Sequence, residues 1–308
     1  MKRRVMTVLA IILGILVLGA VGLWWAVRSN GPAVLDQVDR IVGPSSSVGK
    51  VLEASIGDHP EQRVIVYREA GATGPLPVFL FFHGGAWAHG SPVDYGFIAR
   101  NIAPEGFVVV LGGYRLNEPG RYPAMLQDTA AAIGWVHRNI AEHGGDPQRI
   151  LLSGHSAGAY NVAQVALERR WLEEEGVPVE TIKGVVGLAG PYDFYPFDTP
   201  RSKAAFESVG AGEESQPVNH GRADAPPMLL VHGEADTVVR IRNSRALESA
   251  LSEAGSPVET LYLPGKNHND PLLLLTNPWR RDPQVFDRVT QFLESAGTLS
   301  VPVQPETL

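Results

Sequence analysis

From about residue 60 onwards, short runs that are apolar on both faces alternate with segments of helical period. "EQRVIVYRE", "LPVFLFFHGG", "FVVVLGGYR", "RILLSG", "IKGVVGLAG", "PMLLVHGEAD" and "VETLYLPG" read as strands. Between most of them lie helical patterns such as "YPAMLQDTAAAIGWVHRNIAEHGG", "SAGAYNVAQVALERRWLEEEG", "RIRNSRALESALSEAG" and the closing "DPQVFDRVTQFLES". Strands without a polar face must be covered on both sides, and helical crossovers supply that cover. The expectation is one α/β domain with a mostly parallel central sheet and helices on both faces. The long irregular interval at 191–227, with its "PYDFYPFDTP", is expected to roof a pocket.

The N-terminus is of another kind. Lys2, Arg3 and Arg4 precede an uncharged span from Val5 to Val27 that ends at Arg28. At about 1.5 Å per helical residue this reaches across about 30 Å of hydrocarbon. Trp24 and Trp25 suit the headgroup boundary, and the basic residues before the span place the N-terminus in the cytoplasm and the rest outside, on the periplasmic side. A cleaved signal peptide, with Gly19-Ala20 near the cut, is the competing reading and would make the protein secreted. The expected division is a transmembrane anchor at 1–28, a juxtamembrane connector with a short helix at 29–49, a catalytic domain at 50–296 and a loose tail at 297–308.

Composition removes several classes of function. The net charge of −7 and the lack of a Lys/Arg cluster give no field for nucleic acid. Cysteine is absent, so disulfides, thiolate catalysis and Cys-ligated metals are excluded. The histidines have no metal-site spacing, and "HGGAWAH" lacks the helical register of H-E-x-x-H. Neither a dinucleotide nor a P-loop glycine pattern is present, so no cofactor and no metal are expected.

Within "ILLSGHSAGAY", Gly154-His155-Ser156-Ala157-Gly158 forms G-x-S-x-G between an apolar strand and an alanine-rich helix. A serine in an ordinary glycine turn would give the same letters. The context instead fits a sharp strand-to-helix turn that holds the hydroxyl exposed. A serine hydroxyl is a poor nucleophile until a base takes its proton and an acid orients the base. The acid candidate is Asp236, with Glu234 as rival, and the base candidate is His268; both follow strands, in the chain order this arrangement requires. The oxyanion of a tetrahedral intermediate needs aimed N–H donors, and the amides of Gly84, Gly85 and Ala157 can supply them. His83 is expected to fix the glycine loop, and His155 and His232 to be buried, satisfied histidines.

Together, "HGGAW" at 83–87, "YRL" at 114–116, "YPAMLQD" at 122–128, "GGDPQRILLSGHSAGA" at 144–159, "LLVHGEADTVV" at 229–239 and "GKNHND" at 265–270 resemble the α/β-hydrolase superfamily. Within it they are similar to the esterase/lipase group of hormone-sensitive-lipase-like, arylformamidase and prenylcysteine methylesterase families. The resemblance covers roughly residues 50–296. It implies an α/β-hydrolase fold behind one transmembrane helix, a serine carboxylic-ester hydrolase, and Ser156, Asp236 and His268 as nucleophile, acid and base. It also implies scaffold roles for Tyr114 and Asp128. "GGYRL" lacks the aspartate that lipase-like members carry before the tyrosine, and the short connector leaves little room for a helical cap. Both point to the compact, arylformamidase-like branch. Phe194, Tyr195 and Phe197 then favour small, short-chain or aryl esters. The implied partners are such a small-molecule ester and the lipid bilayer. An N-acyl amide or formamide hydrolase with the same triad, and a non-catalytic anchored binding protein, are the alternatives.

Overall fold

The computed structural model describes residues 2–43, 47–208, 212–276 and 283–298. Eight strands, β1 (Val48–Ser55), β2 (Arg63–Glu69), β3 (Leu76–Phe82), β4 (Val108–Gly112), β5 (Gly145–His155), β6 (Ile182–Leu188), β7 (Met228–Gly233) and β8 (Val258–Leu263), form one sheet in the order β1-β2-β4-β3-β5-β6-β7-β8. β2 runs against both of its neighbours and every other adjacent pair is parallel. The nine α-helices among the described residues are α1 (Lys2–Val42), α2 (Gly96–Ile102), α3 (Ala124–Asn139), α4 (Ala157–Leu167), α5 (Arg170–Glu174), α6 (Pro200–Ala205), α7 (Arg242–Glu253), α8 (Asp270–Leu273) and α9 (Pro283–Gly297).

Side chains alternate across a strand, and here both faces are buried. Val78, Leu80 and Phe82 of β3 join Val108, Val110, Ile150 and Leu152 under α3, α4, α5 and α7. Phe79 and Phe81 enter the opposite core with Val109, Leu111 and Leu151 under α2, α8 and α9. This mixed sheet with helices on both faces is the α/β-hydrolase fold.

Three features differ from the sequence expectation. β1 extends the sheet before the first expected strand; as an edge strand it is mostly exposed and carries no apolar run. The expected helix after Ser156 breaks after Leu167, where Glu168 is extended (φ −99°, ψ 97°) and accepts hydrogen bonds from Gln164 and from the Trp171 indole. α1 bends at Asn30 (φ −152°, ψ 81°). From Ile12 to Trp25 it is exposed, and it is the one helix among the described residues long and apolar enough to cross a membrane. Its second half packs on the domain through Asp36 and Asp39, both buried. The Arg100 guanidinium donates to them at 2.6 and 2.5 Å, and the Asn101 amide donates to Asp39 at 3.2 Å. In 191–227 the described residues hold α6 and two short 3-10 turns. The expected tail lies outside the described residues from 299 on.

Candidate active site

β5 delivers the chain to Ser156 and α4 carries it away at once, so the serine takes a strained backbone (φ 55°, ψ −118°) that costs roughly 1–3 kcal/mol. Two glycines make this turn possible. A Cβ on Gly154 would lie 2.3 Å from the Gly158 carbonyl carbon, and one on Gly158 would lie 2.2 Å from the Phe82 carbonyl oxygen at the end of β3. Ser156 N–H donates to the Leu188 carbonyl at 2.8 Å, which ties the turn to β6.

The Ser156 hydroxyl lies 3.0 Å from Nε2 of His268, and Nδ1 of the same ring lies 2.7 Å from Oδ2 of Asp236. His268 stands in the loop after β8 and Asp236 in the loop after β7. The structure therefore brings the three sequence-expected residues into one hydrogen-bonded line. Glu234 is exposed, with its nearest described cation, Arg245, 4.0 Å away, and has no part in it.

Asp236 is held from every side. Its Oδ1 accepts the amides of Val238 and Val239 at 2.8 and 2.9 Å, and its Oδ2 faces both His268 and, at 3.2 Å, His232. Burial alone would raise this carboxyl's pKa; the hydrogen bonds from the two imidazoles and the Val239 amide outweigh it and hold it far below the usual carboxylate range. Asp236 thus stays ionised beside the His268 ring.

His232 is the partner that the sequence did not disclose. Its Nδ1 lies 2.7 Å from the Ser244 hydroxyl and its Nε2 2.7 Å from the Val239 carbonyl, so a second Ser-His-Asp grouping shares Asp236. Ser244 and His232 are both 0% exposed, and Ser244 lies within α7, away from any strand-to-helix turn. A hydroxyl sealed there cannot meet a substrate, and this grouping reads as a brace for the Asp236 loop.

The glycine loop after β3 lies against Ser156. A Cβ on Gly84 would fall 3.2 Å from that of Ser156, and Gly85 has a φ of 118°, with its pro-Cβ position only 1.9 Å from the His89 carbonyl oxygen. Among the described residues, the amides of Gly85 and Ala157 have no backbone acceptor, and the Gly84 amide faces the Tyr95 hydroxyl on the cavity wall. His83 Nδ1–H donates to the Gly84 carbonyl at 2.7 Å, and Tyr114 donates to the His83 carbonyl at 2.8 Å. Trp87 donates to Asn161 of α4 at 3.1 Å, and Asp128 binds the Arg115 guanidinium and the Arg115 amide. His155 donates through Nε2 to the His268 carbonyl at 3.0 Å, which ties the base loop to the nucleophile turn.

A cavity of about 630 Å³ opens over Ser156 and His268, within the range of small-molecule sites. Its walls include Gly84, Gly85, Leu116, Arg201 and Val238. Among the described residues of the irregular segment, only Arg201 reaches this cavity. Phe194 and Phe197 instead pack with Trp87, Tyr160 and Phe206. Among the described residues no cluster of His, Asp and Glu is arranged to hold a metal ion.

Two buried histidines give the site a pH-dependent stability. Burial pulls His83 down to about 4; burial, with the neighbouring His268 adding to it, pulls His155 down to about 3. Both folded values lie below the unfolded value, so the contribution is fully present above about pH 6.5 and is lost as the pH falls toward the folded values. At pH 5 each costs about 2 kcal/mol relative to neutrality. Thermal melts should therefore show a marked fall in Tm between pH 7.5 and 5; a flat profile would contradict the buried, neutral state of these rings.

The family described as BD-FAE matches residues 65–251, which include Ser156, Asp236 and the glycine loop. The isoprenylcysteine alpha-carbonyl methylesterase ICME of Arabidopsis thaliana is 31% identical over 262 residues, 78% of this chain and 61% of that protein. Esterase LipC of Mycobacterium tuberculosis is 31% identical over 238 residues, 70% of this chain and 59% of that protein. The chain spans about three fifths of the length of these curated relatives. Among solved structures, esterase B from Lactobacillus rhamnosis superimposes with a TM-score of 0.74 at 20% identity, covering 91% of this chain and 95% of that one, a likeness of fold. A thermostable esterase from Pseudomonas putida ECU1011 gives 0.67 at 25% identity, covering 88% and 91%. With a family match across most of the sheet and the whole nucleophile turn, this chain belongs to the BD-FAE family, within the α/β-hydrolase-fold esterase/lipase superfamily.

Proposed function

We propose that the protein is a serine carboxylic-ester hydrolase working through an acyl-enzyme, with its apolar N-terminal half-helix as a membrane anchor and the catalytic domain outside the cytoplasm. The observation that carries the reading is the Ser156–His268–Asp236 line with the glycine loop packed against Ser156. His268, oriented by ionised Asp236, accepts the Ser156 proton as Oγ attacks the ester carbonyl. The amides of Gly84, Gly85 and Ala157 take up the oxyanion. His268 then gives the proton to the leaving alcohol, and water repeats the sequence on the acyl-enzyme. The esterase names of its relatives support the ester as the bond attacked.

The test is turnover of a series of p-nitrophenyl esters from acetate to palmitate, with an aryl formamide alongside. Ester hydrolysis by the folded wild type is expected at every length the cavity admits. Turnover of the formamide with no ester hydrolysed would replace this reading by an N-acyl hydrolase.

A further inference from the structure

Ser29, Asn30, Gly31 and Pro32, the stretch where the apolar helix meets the domain, form part of the wall of the active-site cavity. We propose that this hinge sets the cavity mouth at the bilayer surface, so that the substrates are amphiphilic esters whose acyl chains lie in the membrane. The inference rests on the serine-esterase reading and on the anchor, and names the substrate class for that same site.

The hinge is a fixed part of the structure. The Asn30 side-chain amide donates to Asp94 at 2.8 Å, and its carbonyl oxygen accepts the Ala33 amide at 3.2 Å, capping the second half of α1. Asp94 precedes Tyr95, which lines the same cavity. Beyond the bend, Asp36 and Asp39 clamp onto Arg100, so the wall is held at Asn30 and again about two helical turns after it. Distance then fixes where the mouth can lie. Trp24 and Trp25 are exposed, Arg28 lies over the Trp24 ring at 5.5 Å, and the uncharged span ends at Val27. From there to Pro32 is at most about 18 Å of extended chain and about 8 Å of helix. The headgroup layer on each side of the hydrocarbon is itself about 5–8 Å deep. The mouth therefore opens in or beside that layer. Its rim suits the location: Val238 is 71% exposed there, and among the described lining residues there is no carboxylate and the one fixed charge is Arg201.

The test uses the full chain in phosphatidylcholine vesicles, with 4-methylumbelliferyl palmitate carried in the bilayer and p-nitrophenyl butyrate in the water. A flexible Gly/Ser insert of about eight residues between Arg28 and Ser29 leaves the wall intact and adds roughly 15 Å of slack to the tether. The proposal expects palmitate turnover to fall about tenfold or more while butyrate turnover stays within about twofold. Palmitate turnover unchanged by the insert, or both esters falling together, would overturn the alignment and leave the esterase reading standing. A parent chain that turns over neither ester removes both. Because the chain has no cysteine, a Ser29→Cys thiol gives a second readout. Its reaction with a maleimide should slow about fivefold when Ser156 carries a long-chain alkylphosphonate, since the occupied cavity restricts access. Unchanged labelling, with the Ser156 adduct confirmed by mass, would remove the hinge from the cavity wall.

Discussion

Ser156→Ala should lower kcat/KM for any hydrolysed ester by about 10⁴-fold or more while leaving the fold intact. Only Oγ is removed, and that atom's described partner is His268. The backbone bonds that hold the turn, from the Ser156 amide to Leu188 and from Tyr160 to the Ser156 carbonyl, do not involve the side chain. Ser244→Ala is the informative comparison. It removes the hydroxyl beside His232 and should cost about 1–2 kcal/mol of stability, with activity reduced by less than about tenfold because Asp236 keeps its two backbone amides and His268. Equal inactivation by both substitutions, in proteins of equal foldedness, would mean that the buried grouping does more than brace the acid.

Gly158→Ala should be the most damaging change outside the triad. The added methyl would lie 2.2 Å from the Phe82 carbonyl oxygen and 2.5 Å from that of His83. Both are backbone atoms of β3 and the glycine loop, so no side-chain rotation relieves the overlap. Either α4 moves away from β3 and the turn opens, or the glycine loop shifts from the nucleophile. The expected result is a loss of about 3 kcal/mol in stability together with most of the activity, read from thermal melts and ester turnover. Gly49→Ala, where nothing lies within 4 Å of the added carbon, should stay within about 0.5 kcal/mol. A Gly158→Ala protein with native Tm and full activity would contradict the packing described for the nucleophile turn.

The parts legible in the sequence were those written as local patterns. Fully buried strands such as β4 and β7 show as unbroken apolar runs because both faces are covered. The G-x-S-x-G turn shows because two positions admit no Cβ, and the triad could be ordered because each member follows a strand. What stayed hidden depends on partners far away in the chain. Asp36 and Asp39 look like solvent charges until Arg100, more than 60 residues on, is packed against them. β1 is concealed by its exposure at the sheet edge. His232 reads as an ordinary strand-end histidine, and its share in Asp236 becomes visible only when the loop after β7 folds back over it. The phenylalanines at 194 and 197 suggested an aromatic pocket; packing against Trp87 and Phe206 takes them away from the cavity over Ser156.

The central claim is that Ser156 is the nucleophile, and the most direct measurement is the site of modification by a fluorophosphonate. The folded protein should gain one adduct per chain, peptide mapping should place it on Ser156, and the Ser156→Ala variant should gain none. An adduct on Ser244 or any other residue, or a folded wild-type protein that takes up no label, would contradict it.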